Sequence, residues 1–275
     1  MLTIIQSLAL GAVQGLTEFL PISSSGHLIL ARELLGINTE SGLAFDAVLQ
    51  LGSILAVFIY FRQDIVRLIR AFFSLFIPHP PATSPQSHSD RQLLFAILIG
   101  TIPALVLGLL LEETMETTFR SPLLVALTLA LGSLMFYLAE KFARQASKAP
   151  NLKQAWWIGV FQCLALVPGV SRSGSTISGG LFLGLDRVAA TRFGFLLSLP
   201  IITGAGLFKL IKIAKYGAAD FDLLGLAVGF IAAFGVGYLC IAWLIGYLKN
   251  HSLMVFVWYR LALSAIVLSA LSLGI

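Results

Sequence analysis

Long runs of apolar residues with few charges dominate the chain, and the length of each run limits what it can form. A helix needs about 20 apolar residues to cross the hydrocarbon of a bilayer. Six stretches qualify: Leu43–Phe61 (interrupted by Asp46), Leu93–Leu111, Pro122–Ala139, Phe193–Phe208, Leu223–Leu248 and Leu253–Leu273. The pattern predicts an all-α polytopic membrane protein with about six transmembrane helices. The opening MLTIIQSLALGAVQ has no basic residue ahead of its apolar run, so it is read as part of the fold rather than as a cleavable signal peptide.

Two further apolar segments, Ile4–Leu35 and Trp156–Leu185, have a different pattern. Each is long enough for two short helices, and each is broken near its middle by proline, glycine and hydroxyl side chains, at PISSSGH (Pro21–His27) and PGVSRSGST (Pro168–Thr176). Such residues end one helix and start another. Irregular backbone survives at membrane depth only when it is buried in protein or lines a wet cavity. Both segments are therefore expected to be re-entrant helix–turn–helix pairs.

The two segments also resemble each other at a constant offset of 148 residues. GAVQGL (Gly11–Leu16) matches GVFQCL (Gly159–Leu164), and SSSG (Ser23–Gly26) matches SRSG (Ser171–Gly174). Phe45 with Leu49–Leu51 matches Phe193 with Leu197–Leu199. The expected organisation is one membrane domain over residues 1–275, with an internal repeat whose halves cover approximately 1–120 and 150–275. Paired Gly/Pro-interrupted segments in corresponding halves point to a site near the bilayer midplane.

Composition narrows the class further. Hydrophobic residues make up 58% and charged residues 11%, against roughly 25% charged in soluble domains, which excludes a cytosolic enzyme. Cys163 and Cys240 lie in apolar runs and read as core residues, so a disulfide scaffold is excluded as well. The net charge of +5 is spread over several loops and gives no dense basic face for nucleic acid.

Lys and Arg near span ends set orientation. Arg62, Arg67, Arg70 and Arg91, and then Lys141, Arg144, Lys148 and Lys153, place two loops in the cytoplasm, while the acidic connection Glu112–Arg120 faces outward. Threading these through six spans inverts one re-entrant pair relative to the other. Lys209, Lys212 and Lys215 then fall on the outer side, against the rule. Pro78–Asp90 reads as a solvated Pro-rich connector.

Ionisable groups inside apolar segments are costly and mark function. Glu18, His27, Asp46 and Arg172 qualify, with Gln14 as a neutral companion. Glu112, Glu113 and Glu140 lie at span ends and read as solvated, and Arg32 and Glu33 read as surface residues. Gln14 and Glu18, four apart, share one helix face, where they form either a polar pair facing a cavity or a helix–helix hydrogen bond. Ser23, Ser24, Ser25 and Gly26 open a helix whose free amides can bind an anion, and one serine suffices as its cap. His27 can serve as nucleophile, as a base activating Ser24, or as a structural histidine. Ser171, Arg172, Ser173, Gly174, Ser175 and Thr176 repeat the design with an arginine, which binds phosphate bidentately and cannot lose its charge. A salt bridge from Arg172 to Glu18 or Asp46 is the bland alternative. A lone carboxylate in a polyanion site makes sense as a proton acceptor or as one ligand of a bridging divalent cation.

The stretches QGLTEFLPISSSGH (Gln14–His27), DAVLQLGSILAV (Asp46–Val57) and PGVSRSGSTISGG (Pro168–Gly180) resemble the bacterial undecaprenyl-diphosphate phosphatase family linked to bacitracin resistance, and the resemblance covers essentially the whole chain. It implies hydrolysis of undecaprenyl diphosphate to undecaprenyl phosphate, the lipid carrier of wall polymers. It further implies Glu18, Ser24, His27 and Arg172 as catalytic residues. Gln14, Ser23, Ser25, Gly26, Asp46, Ser171, Ser173, Gly174, Ser175 and Thr176 are implied to bind substrate, and a divalent cation, Mg2+ or Ca2+, to sit on Glu18 with Gln14. Some members carry Glu at the position of Gln14, and Glu is common at that of Asp46. The implied setting is the bacterial inner membrane with the site open to the periplasmic side, and a homodimer is left open. A polyprenyl-phosphate transporter or flippase is the rival reading, because inverted repeats with broken helices are its architecture; it would need no Ser/His/Glu set. A structural membrane scaffold would leave the buried Arg and Glu unexplained.

Overall fold

The computed structural model describes residues 2–37, 42–76, 85–111, 121–144, 146–216 and 223–274. Among these residues there are eleven α-helices and no strand, only an isolated bridge between Ser147 and Leu185. The helices are α1 (Ile4–Phe19), α2 (Ser24–Leu34), α3 (Gly42–Tyr60), α4 (Arg62–Phe73), α5 (Pro85–Leu110), α6 (Pro122–Phe142), α7 (Leu152–Cys163), α8 (Arg172–Phe182), α9 (Arg187–Tyr216), α10 (Leu223–Tyr247) and α11 (Met254–Ser272). A short 3-10 turn, Leu164–Leu166, follows α7.

Five helices are long and apolar enough to cross a membrane: His88–Leu110, Pro122–Phe142, Arg187–Phe208, Leu223–Tyr247 and Met254–Ser272. The sixth expected span differs. After Tyr60 the chain bends by 82° into α4, so the segment Phe45–Phe73 is a bent pair rather than one straight rod. The connector expected over Pro78–Asp90 is helical from Pro85 onward, because α5 begins there. The acidic connection at 112–120 and the side chains of Lys209, Lys212 and Lys215 lie outside what is described.

Each helix start has a visible cause. Thr3 and Asn151 cap α1 and α7 with full capping boxes to Gln6 and Gln154. Two of the residues read as solvated or surface-exposed are buried instead. Glu140 accepts from Arg187 at 2.6 Å and from the Leu253 amide at 2.7 Å, tying α6 to the starts of α9 and α11. Arg32 is 2% exposed and donates to Asp46 at 2.6 Å. A charge excluded from water needs a counter-charge, and these pairs supply it.

The sequence repeat has a backbone counterpart. Helices α2 and α8 both run for eleven residues, and both ends correspond at the 148-residue offset. Helix α1 packs on α10 and α3, while α7 packs on α5 and α8. Gly11 of α1 and Gly159 of α7 occupy equivalent positions. A Cβ on Gly11 would run into the Gly229 carbonyl of α10, and one on Gly159 into the Gly100 carbonyl of α5. Small residues let backbones approach closely where apolar lipid gives helices no hydrophobic reason to associate. The core behind these seams is aliphatic and aromatic, with Phe19 edge-on to Phe195 at 5.4 Å.

These contacts set a test of the close seams. Gly159→Ala should lower the unfolding midpoint of the detergent-purified protein, by about 1–3 kcal/mol through overpacking. Gly204→Ala, where an added Cβ meets nothing within 4 Å, should be neutral or stabilising by helix propensity. Equal behaviour of the two variants would refute the close-contact reading.

Candidate active site

Both expected re-entrant breaks are present, at residues 20–23 and 167–171, and their turns touch. Ser23 and Ser171 cap α2 and α8 by accepting from the amides of Gly26 (3.3 Å) and Gly174 (3.2 Å). Both have positive φ, 78° and 80°, among the described residues the only non-glycines that do. Such backbone costs of order 1–3 kcal/mol and persists only where the surroundings enforce it. Here the enforcement is mutual. The Gly169 amide donates to Ser23 Oγ at 3.0 Å, and Ser173 Oγ donates to the Leu20 carbonyl at 3.1 Å. Gly169 has φ +94°, and a Cβ there would strike Thr128 Oγ1, so only glycine fits.

Glu18 sits at this junction, 8% exposed. One carboxylate oxygen accepts from Arg172 Nη2 at 2.9 Å, and the other accepts from Ser24 Oγ at 2.6 Å and Gln14 Nε2 at 3.0 Å. The salt bridge weighed as the bland alternative for Arg172 is therefore real, and it joins residues 154 apart in sequence. It does not use the whole guanidinium, since Arg172 Nε is buried and has no hydrogen-bond partner among the described residues. Gln14 Oε1 is in the same state.

His27 is placed differently from the reading in which it activates Ser24. Its Nδ1 lies 2.7 Å from the Ser23 carbonyl and its Nε2 lies 2.8 Å from the Tyr259 hydroxyl. A carbonyl only accepts, so Nδ1 carries the proton and Nε2 presents a lone pair, here taken by Tyr259. The group bonded to Ser24 is Glu18. Asp46 is also set apart, because its carboxylate is engaged by Arg32.

The remaining expected residues divide by exposure. Ser25 is exposed and lies 3.4 Å from Ser23 Oγ, while Ser171 and Ser173 share a 3.2 Å contact. The Thr176 hydroxyl bonds back to the carbonyls of Arg172 and Ser173. The hydroxyl of Ser175 is buried without a partner among the described residues. Gly26 and Gly174 sit where the turns are tightest, and a Cβ on Gly174 would enter the Phe136 ring.

Two site residues were missed by the sequence reading, and both lie on α11. Tyr259 takes the His27 ring nitrogen. Arg260 is fully buried, and its guanidinium lies 4.6 Å from the Phe136 centroid. It donates to the carbonyls of Pro21 (3.4 Å) in one turn and of Gly169 (3.0 Å) and Val170 (3.1 Å) in the other, as well as to Thr128, Leu129 and Ser133 of α6. A signal was present, since Arg260 is the only charge in the run Leu253–Leu273.

The family model described as "Bacitracin resistance protein BacA" matches residues 7–266. The chain belongs to this family. A relative named undecaprenyl-diphosphatase from Rubrobacter xylanophilus is 44% identical over 276 residues, covering 99% of this chain and all of the relative. Proteins of the same name from Chloroherpeton thalassium and Acinetobacter baumannii are 44% and 41% identical, covering 98% and 97% of this chain and 98% and 95% of theirs. The resemblance carried by the two long motifs is thus a full-length one. In this BacA-family chain the two motifs are neighbours in space, joined by Glu18 and Arg172.

Arg260→Met should leave carbonyls of both turns unbonded in a dry interior. The expected loss is at least about 3 kcal/mol of stability, because bonds to charged groups are worth roughly 1.5–3 kcal/mol each. Thermal unfolding in detergent measures it, and an unchanged midpoint would mean that those carbonyls find other partners.

Proposed function

We propose that the chain hydrolyses undecaprenyl diphosphate to undecaprenyl phosphate and inorganic phosphate, in the cytoplasmic membrane of a bacterium, with its site open to the outer face. Recycling of the lipid carrier for wall polymers and resistance to bacitracin follow from that activity. Family membership and the printed names of the relatives support the substrate. The observation that carries the chemistry is Glu18, held by Arg172 on one oxygen while it receives the Ser24 hydroxyl on the other.

The polyprenyl tail stays in lipid and the diphosphate enters between the two turns. Arg172 then directs its guanidinium, including the unpaired Nε, to the terminal phosphate. Charge in the transferring group is spread by this arginine and by the amides that open α8. Ser24 Oγ attacks the terminal phosphorus as its proton passes to Glu18. The bond from phosphorus to the bridging oxygen breaks, and undecaprenyl phosphate leaves with the electron pair. Water then adds to the phosphoserine, Glu18 returns its proton to Ser24 Oγ, and inorganic phosphate departs with both hydrogens of the water. His27 is the competing nucleophile, since its tautomer exposes the Nε2 lone pair once Tyr259 moves aside.

A divalent cation is implied by the family, and the residues fit one of a particular kind. Among the described residues no three His, Cys, Asp or Glu side chains form a ready cage. Glu18 and the unpartnered Gln14 Oε1 offer two hard oxygen donors, and Mg2+ is commonly bound by one or two carboxylates plus substrate phosphates. Glu18 and Gln14 would hold it, and it would neutralise phosphate charge and polarise the phosphoryl oxygens.

With purified protein and undecaprenyl diphosphate, Arg172→Ala and Glu18→Gln should each lower turnover by about 10²–10³-fold, and near-normal rates would refute their roles. Chelation by EDTA should stop phosphate release. Trapping with substrate labelled at the terminal phosphate should give an acid-stable phosphoserine, lost in Ser24→Ala. An acid-labile adduct lost in His27→Ala would move the nucleophile to the histidine. Lipid movement across vesicles without phosphate release would favour a transporter.

A further inference from the structure

Helix α4 lies outside the site just described and has a composition unlike its neighbours. Twelve residues wound at about 100° each sort into three sectors. Leu68 and Ala71 are buried against the protein, with Asp64 between them on the wheel. Val66, Ile69 and Phe73 form an exposed apolar sector, extended by Phe72 and, past the helix end, Phe76. Gln63, Arg67 and Arg70 form an exposed polar sector between the other two. A helix that crossed the bilayer would not carry this basic strip, and a helix in free water would not expose the apolar one. The arrangement suits a helix lying in the interface, apolar side in the acyl region and cations at headgroup level.

The 82° bend after Tyr60 gives α4 that course, roughly at right angles to the α3 segment. Both ends are anchored. Arg192 of α9 donates to Asp64 at 2.9 Å, and Arg91 of α5 bonds the Ser74 hydroxyl and carbonyl at the C-terminus. The basic sector is less satisfied. Arg67 lies 4.0 Å from Asp64, whose other oxygen serves Arg192, and Arg70 has no ion pair among the described residues. Arg62, Gln63, Val66, Arg67 and Arg70 line an open groove of about 430 Å³.

We infer that this groove is a binding site for the headgroup of an anionic phospholipid, with Arg67 and Arg70 on its phosphodiester, Arg62 at the groove's end, and the acyl chains beside Val66, Ile69 and Phe73. Charge complementarity selects this occupant: a zwitterionic headgroup offers no net charge to two under-compensated guanidinium groups, whereas an anionic leaflet attracts basic segments next to a span. The site fixes the depth of α4 and does not depend on the phosphatase reading.

The test is native mass spectrometry of the full chain in detergent with equimolar phosphatidylglycerol and phosphatidylcholine. The wild type should retain at least about threefold more phosphatidylglycerol by counterion attraction alone. R67Q/R70Q should bind the two lipids equally, while R67K/R70K should keep the preference. Hydrolysis in detergent and the unfolding midpoint should be unchanged in both variants, because neither residue belongs to the catalytic set or the core. Excess inorganic phosphate should leave the bound lipid in place. The inference is overturned if R67Q/R70Q keeps the preference, if the wild type shows none, or if inorganic phosphate displaces the lipid and so reveals a free-anion site.

Discussion

A helix broken inside a bilayer leaves amides and carbonyls that lipid cannot satisfy. This chain breaks two helices and answers the shortfall almost entirely with its own side chains. Arg260 is central to that answer, reaching carbonyls of both turns from a helix that belongs to neither. An arginine suits the task because five donors on a rigid plane can serve several acceptors without deprotonating. Thr128 contributes from α6 by donating to the Pro168 carbonyl at 2.6 Å. The positive-φ serines at the two caps can be held in a costly backbone conformation because the frame around them is so heavily bonded.

The site's electrostatics follow from this frame. Glu18 and Arg172 cancel each other in the resting state, so a single ion does not have to be buried alone. A diphosphate brings negative charge of its own and competes for the arginine, which releases part of the carboxylate's load as the substrate arrives. The exchange links binding to the readiness of the hydroxyl beside Glu18. Asp46 takes no part in it, being matched to Arg32 on the neighbouring helix pair.

Much of this was legible before any coordinates. The apolar runs gave the spans, and the two Pro/Gly/Ser interruptions gave the breaks, because lipid tolerates so few alternatives. The Gln14–Glu18 spacing correctly placed both on one face. Misreadings came where a long-range partner decided the outcome. Arg32 and Glu140 look like surface charges locally, and only the fold brings Asp46 and Arg187 to them. His27 was paired in thought with Ser24 because they are close in sequence, yet its ring meets a tyrosine 232 residues away. The bend after Tyr60 was hidden because hydropathy reports burial in lipid and not direction.

The glycine seams have a consequence for how the protein is made. The nearest packing partner of α1 is α10, which leaves the ribosome more than 200 residues later. Until then the first broken helix, with its carboxylate and serines, has neither its neighbour nor the arginine from α8 that neutralises it. The nascent amino-terminal segment must therefore wait, sheltered by the insertion machinery or by the membrane surface, and a chain truncated before α10 would leave it stranded.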